Sequence, residues 1–191
     1  MVETEHEFGG PAAATRQFET TKREAAALAA ELSDEQFNWR QTPGQWSIGQ
    51  CLMHLANGTD ATLPALDRAI AQARERGWAP PTGPVRYGWF TRMMVGSMEP
   101  PPRWRMKTNR IFYPPNETLR KDDVLRVLDD SRERVGQRTR QAAQVDFKRA
   151  IVVSPVSRLI RVPLGGYLAF LAAHDRRHLH QAREIRAMVR G

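Results

Sequence analysis

Two histidines four residues apart, His174 and His178, stand near the C-terminal end of the sequence. On a helix each residue advances about 100°, so the two side chains leave the surface only about 40° apart. Two imidazoles one turn apart can ligate the same ion. The face they share matters more than their spacing. On the same wheel Leu164, Tyr167, Leu171, Ile185 and Val189 all fall within about 40° of His178, which makes this the apolar, inward face. Buried imidazoles without polar partners are costly, so the pair needs hydrogen-bond partners or an ion. His180 falls on the opposite side, among Arg176 and Arg183, and reads as solvent-facing. A third histidine, His54, lies far upstream at the flank of another apolar helical stripe. Facing helices of a bundle commonly build metal sites from such positions. His54, His174 and His178 are therefore the candidate ligands of one divalent metal. Three neutral nitrogens leave a coordination position open, which suits a reactive site better than a closed structural one. Imidazoles alone are compatible with zinc, nickel, copper or iron. His6 sits among polar N-terminal residues and is set aside.

The elements that must carry these residues can be read from periodicity and caps. Pro11 suits a first helical turn, and Phe18, Thr21, Ala25, Leu28 and Leu32 follow at helical spacing. Ser33 with Gln36 predicts a short capped turn, and Thr42-Pro43-Gly44 breaks the chain. Ser47 with Gln50 forms a second capping-box pattern, opening a helix whose buried stripe is Ile48, Leu52, Leu55, Thr59, Leu66 and Ile70. Gly77 and Pro80-Pro81 end it. Residues 78–118 are irregular. Trp89, Phe90, Met93 and Met94 suggest a short apolar helix, followed by a basic, aromatic stretch of Arg103, Trp104, Arg105, Lys107, Arg110, Phe112 and Tyr113. A connection of this length either covers a binding site or simply crosses between bundle helices. A third long helix is expected from about Lys121 to Ala143, with Val124, Leu128, Ser131, Val135 and Ala142 facing in. Residues 146–162 are expected to be an extended loop, because Ile151-Val152-Val153 lacks an evident strand partner. The last helix starts near Pro163. Four long helices with mixed connections predict an all-α four-helix bundle with a long irregular crossover between the second and third. It is expected to form a single domain over residues 1–191, with residues 1–10 as a loose arm.

The 191 residues suffice for one domain with a substantial core. No apolar run approaches the roughly 20 residues needed to cross a bilayer, and the acidic N-terminus does not read as a secretory signal. A single cysteine, Cys51, rules out an intrachain disulfide and a cysteine-built zinc site. It reads as a small buried hydrophobe. A cytoplasmic location is expected. The net charge of +8 is spread over scattered arginines, with no run of five basic residues and no nucleic-acid motif. That argues for a solvated surface, or for an anionic small molecule as partner, and against nucleic acid and membrane.

The string Trp46-Ser47-Ile48-Gly49-Gln50-Cys51-Leu52-Met53-His54-Leu55 resembles the W-S-x6-H-L opening of the DinB-like superfamily, which includes the YfiT-type metal-dependent hydrolases. His174-Asp175-Arg176-Arg177-His178-Leu179-His180-Gln181 resembles that family's closing H-x3-H-x2-Q motif. The resemblance implies a four-helix bundle, often a homodimer, holding zinc or nickel on His54, His174 and His178. Gln181 would then orient an imidazole from behind. Two chemistries follow from an open metal site. A bound water can become a hydroxide nucleophile for hydrolysis. Alternatively, a low-molecular-weight thiol can bind as thiolate for transfer or isomerisation. Asp175 borders the histidines on the wheel, but an ion pair with an arginine on the helix surface is its expected role. The alternative from another class is a non-catalytic helical bundle, with structural metal or none, that works through an interaction surface.

Overall fold

A computed structural model describes residues 6–101, 108–109 and 112–190. The order of elements is α1 (Gly10–Ala29), α2 (Asp34–Asn38), α3 (Ile48–Glu75), α4 (Trp89–Gly96), α5 (Lys121–Ala142), β1 (Ile151–Val153), β2 (Arg161–Pro163) and α6 (Leu164–Arg190). The four long helices α1, α3, α5 and α6 make a bundle. α1 and α3 each pack against both α5 and α6, and so stand on opposite corners.

Local chemistry sets the helix ends. Ser33 and Gln36 cap α2 reciprocally, and Ser47 and Gln50 do the same for α3. In each case the serine oxygen accepts an orphan backbone N–H while the glutamine returns to the cap's own N–H. Gly77, at φ +61°, follows the end of α3, a backbone conformation that suits a residue without Cβ. Residues 6–9 of the expected loose arm are in fact tied down. The Glu7 N–H donates to the Val85 carbonyl at 2.8 Å, and the Glu7 carboxylate accepts from the Tyr87 N–H at 2.6 Å. His6 accepts from the Val85 N–H and packs edge-on against Phe147, a structural role.

The apolar core falls into two main clusters. One gathers Phe18, Leu66, Ile70, Val135, Phe147, Val152, Val162 and Leu168, and the other Leu28, Phe37, Ile48, Leu52, Leu128, Leu179 and Ile185. Each long helix crosses from one to the other. α1 and α6 enter through the first cluster and leave through the second, while α3 and α5 run the opposite way. α3 and α5 are therefore parallel neighbours, and the chain between them must return along the whole bundle, which is why that crossover is long.

Residues 146–162 are not the extended loop expected from the sequence. β1 and β2 pair antiparallel, with Ile151 opposite Pro163, Val152 opposite Val162 and Val153 opposite Arg161. The partner of Ile151-Val152-Val153 is the three residues just before α6, too short and too polar to read as a strand alone. Val152 and Val162 point into the core, and this burial holds the hairpin together.

Between the two clusters lies a polar layer to which every long helix contributes: Thr21, Thr59, Arg132 with its neighbour Ser131, and Asp175, all buried. Arg132 Nη1 reaches both carboxylate oxygens of Asp175, at 2.5 and 2.6 Å. Its Nη2 donates to the Leu55 carbonyl at 2.6 Å and to the Thr59 hydroxyl. The Thr21 hydroxyl donates to Asp175 at 2.8 Å. Asp175 thus has the arginine partner expected of it, but in the core rather than on the surface. Outside, Arg134–Asp60 and Arg138–Asp67 pair α5 with α3, Arg183–Glu24 pairs α6 with α1, and Arg186–Glu31 pairs α6 with the turn that follows α1. Exposed pairs of this kind contribute at most about 1 kcal/mol each. Among the described residues no helix is long and apolar enough to cross a membrane.

Removing one partner of the buried pair leaves an uncompensated charge. Asp175→Ala or Arg132→Ala is expected to lower the unfolding free energy by about 3–5 kcal/mol in urea titration. Replacing both at once, Arg132→Met with Asp175→Leu, is expected to leave stability within about 1 kcal/mol of the parent or higher.

Candidate metal centre

The Ser47 cap fixes where α3 begins and so places His54 in its second turn, facing α6. On α6, His174 and His178 follow the apolar positions Leu164, Leu168 and Leu171 at helical spacing and look back at α3. The three side chains meet in the α3–α6 seam. Their ligating nitrogens all lie within 4.8 Å of one another. His54 and His178 are buried, and His174 is partly exposed.

Hydrogen bonds decide which nitrogens point inward. The Phe112 carbonyl lies 2.8 Å from His54 Nδ1 and can only accept, so Nδ1 carries the proton and Nε2 presents its lone pair. Gln181 Oε1 lies 3.1 Å from His178 Nδ1 and fixes that ring the same way. The orienting role implied for Gln181 thus has its geometry. His54 Nε2 and His174 Nε2 are 3.1 Å apart. Two imidazole nitrogens on one tetrahedral zinc, each about 2.0–2.1 Å from the ion, would stand about 3.3 Å apart. The spacing, the inward Nε2 lone pairs of His54 and His178 and the three imidazole donors fit a divalent metal of the borderline class, which would displace the proton shared between His54 Nε2 and His174 Nε2.

The electrostatics agree. Burial pushes the His178 imidazolium down from 6.5 to about 3, with the neighbouring His54 adding to the effect. His174 is held well below its ordinary range by burial and then by His178, His54, Arg132 and Arg177. Burial also lowers His54, against the opposing pull of Phe112 and Asp175. All three rings are neutral near pH 7, the form that binds metal.

Aromatic rings wall the cluster. Trp46, just before the α3 cap, stacks on His178 at 5.8 Å and tilts over His54 at 4.7 Å. Phe170, one turn before His174, stacks on it at 6.1 Å. Gly58, one turn beyond His54, faces His174, where an added Cβ would stand 3.9 Å from the ring. The end of the crossover covers this seam. Besides Phe112 on His54, the Pro115 carbonyl accepts from Gln50 at 3.0 Å and the Tyr113 carbonyl from Asn57 at 3.4 Å. Arg103, Trp104, Arg105, Lys107 and Arg110 of the basic stretch lie outside the described residues.

A profile described as the DinB superfamily matches residues 17–182. The chain belongs to the DinB superfamily. Curated proteins and solved structures give no match. The match spans both histidine motifs, all of α3 and α5 and most of α1 and α6, so the bundle is a DinB-like fold and the three-histidine cluster lies within the family region.

Other residues weighed from the sequence fall outside the cluster. His180 lies 3.6 Å from Glu184 on the outer side of α6. Cys51, one turn before His54, is fully buried in the second apolar cluster, and burial raises its thiol far above the ordinary range. Sequence reasoning passed over Arg132. Its signal was available: it falls four residues after Leu128 and three before Val135, on the apolar stripe of α5.

The buried rings tie stability to pH in this DinB-family bundle. The folded pKa of His178 lies below the unfolded value, so between the two the unfolded chain binds more protons and stability rises with pH. The metal-free protein is expected to lose stability as pH falls from 6.5 toward about 3. His178→Gln should flatten that slope in a series of thermal melts.

Proposed function

We propose that this protein is a metal-dependent enzyme that binds one divalent ion, zinc or nickel, through Nε2 of His54, His174 and His178, and uses the open position to activate a protic nucleophile. The observation that carries this reading is the convergence of three neutral imidazoles, two with Nδ1 already held by Phe112 and Gln181. Bound there, the ion would supply Lewis acidity, lowering the pKa of a coordinated water or thiol. The chain's own residues set the rest. Phe112 and Gln181 hold the ring tautomers, Trp46 and Phe170 shield the ligands from water, and α3 and α6 fix the spacing.

Transfer from a low-molecular-weight thiol fits this site better than hydrolysis. A hydrolase usually needs a carboxylate or other base beside the metal. The carboxylate next in sequence to His174, Asp175, is bound to Arg132 and Thr21 in the core. Coordination can deprotonate water or a thiol, but hydrolysis also calls for a group that delivers a proton to the leaving atom, a demand that thiol addition to an activated carbon does not make. The substrate or thiol is anionic in this reading. Arg177 supports that, since its guanidinium stands near enough to His174 and His178 to oppose their protonation while donating to the Ser97 carbonyl at 3.1 Å. A homodimer is the assembly inferred from family membership.

Elemental analysis of untagged protein is expected to give about one metal per chain, with the metal lost in folded His54→Ala and His178→Ala variants. Adding a low-molecular-weight thiol to the cobalt- or nickel-loaded protein is expected to produce a sulfur-to-metal charge-transfer band. Absence of metal after reconstitution with zinc, nickel and iron would leave the non-catalytic bundle as the better reading. A metal-loaded protein that shows no thiol band but cleaves ester or amide substrates would favour hydrolysis.

A further inference from the structure

We infer that Arg132, which lies outside the histidine cluster and on a third helix, is a positioning residue that sets the distance and register between the two ligand-bearing helices; this rests on the three-histidine metal site proposed above. Its contacts on α3 and α6 flank the ligands. On α3 it holds the carbonyl of Leu55, the residue after His54, and the hydroxyl of Thr59. On α6 it holds the carboxylate of Asp175, the residue after His174. One rigid guanidinium thus spans from the neighbour of one ligand to the neighbour of another, on the core side of the site. Thr21 on α1 and Ser131 on α5 close the layer, Thr21 donating to Asp175 at 2.8 Å and Ser131 accepting from Arg132 at 3.2 Å.

The geometry suits this role better than simple core filling. Arg132 is fully buried, where an apolar side chain of similar volume would cost less desolvation. Its planar fork fixes both the separation and the angle of its acceptors, which a lysine point charge does not. The apolar clusters on either side are non-directional, so alone they tolerate a slide of α6 along α3. A slide of even one ångström would separate His54 Nε2 from His174 Nε2, now 3.1 Å apart. The polar layer forbids the slide, because it would strand the buried Arg132 charge. Arg132 bonds to none of the three histidines. It acts through the backbone at Leu55 and through Asp175.

The test compares metal binding in Arg132→Lys and in the double variant Arg132→Met with Asp175→Leu. Phe147→Leu, a core truncation at the hairpin end, controls for lost stability. Zinc affinity is read by chelator competition and site geometry by the cobalt(II) absorption spectrum, after folding is checked by circular dichroism. The expected result is a zinc affinity about 10- to 100-fold weaker in both Arg132 variants, with a changed cobalt spectrum, while Phe147→Leu keeps parental affinity and spectrum. Folded Arg132 variants with affinity within about twofold of the parent and an unchanged spectrum would overturn the inference. If the double variant does not fold, Arg132→Lys, which keeps the charge, decides alone. A parent that binds neither zinc nor cobalt would sink the metal site itself, a failure visible before any variant is read.

Discussion

A guanidinium that has lost all contact with water depends on acceptors within the protein, and both Nη atoms of Arg132 find them on the helices that carry the histidines, with Nε left without a partner among the described residues. That requirement organises the middle of the bundle. Thr59 and Asp175 accept from it and Thr21 in turn donates to Asp175, so each of the other long helices takes part, and the apolar core divides into a cluster on either side. Hydrophobic burial supplies most of the driving force for packing four helices but is indifferent to their exact register. Directional bonds to a buried charge are not indifferent, because any misalignment leaves part of that charge unpaired.

The histidine cluster lies beside this layer, and the two share helices and neighbouring residues. Leu55 follows His54, and Asp175 follows His174. The seam that joins α3 to α6 is thus held by charge on its core side and lined with neutral imidazoles toward the crossover. The same low-dielectric surroundings have opposite effects on the two groups. They strengthen the Arg132–Asp175 bond and keep the imidazoles unprotonated, so their lone pairs stay available. Asp175, the carboxylate nearest the three histidines in sequence, serves the architecture.

The crossover is a consequence of topology with chemical effects. Parallel α3 and α5 oblige the chain to travel back along the bundle, and its last part passes over the seam. There the Phe112 carbonyl fixes the tautomer of His54, while Pro115 bonds to Gln50, whose oxygen caps the start of the same helix. Residues 112–115 thereby contribute to the orientation of the His54 ring and to the start of α3, and Trp46, next to the cap, covers two of the three rings.

Much of this was legible in the sequence because it depends on local rules. The capping pairs Ser33–Gln36 and Ser47–Gln50, the break at Gly77 and the apolar stripes of four helices follow from backbone chemistry within a few residues. The inward face shared by His174 and His178 follows from helical period alone, and the flank position of His54 on its own apolar stripe, together with the family motifs, joined it to them. What tertiary structure decided depends on partners far apart in the chain. Ile151-Val152-Val153 became a strand only because Arg161-Val162-Pro163 lay beside it and both valines could be buried. Residues 6–9 were pinned by Val85 and Tyr87. Asp175 looked like a surface charge because arginines surround it in sequence, whereas its partner, Arg132, comes from another helix. A buried charge is invisible to periodicity until its counter-charge is known, since burial of either one alone is prohibitively costly and only their meeting makes it possible.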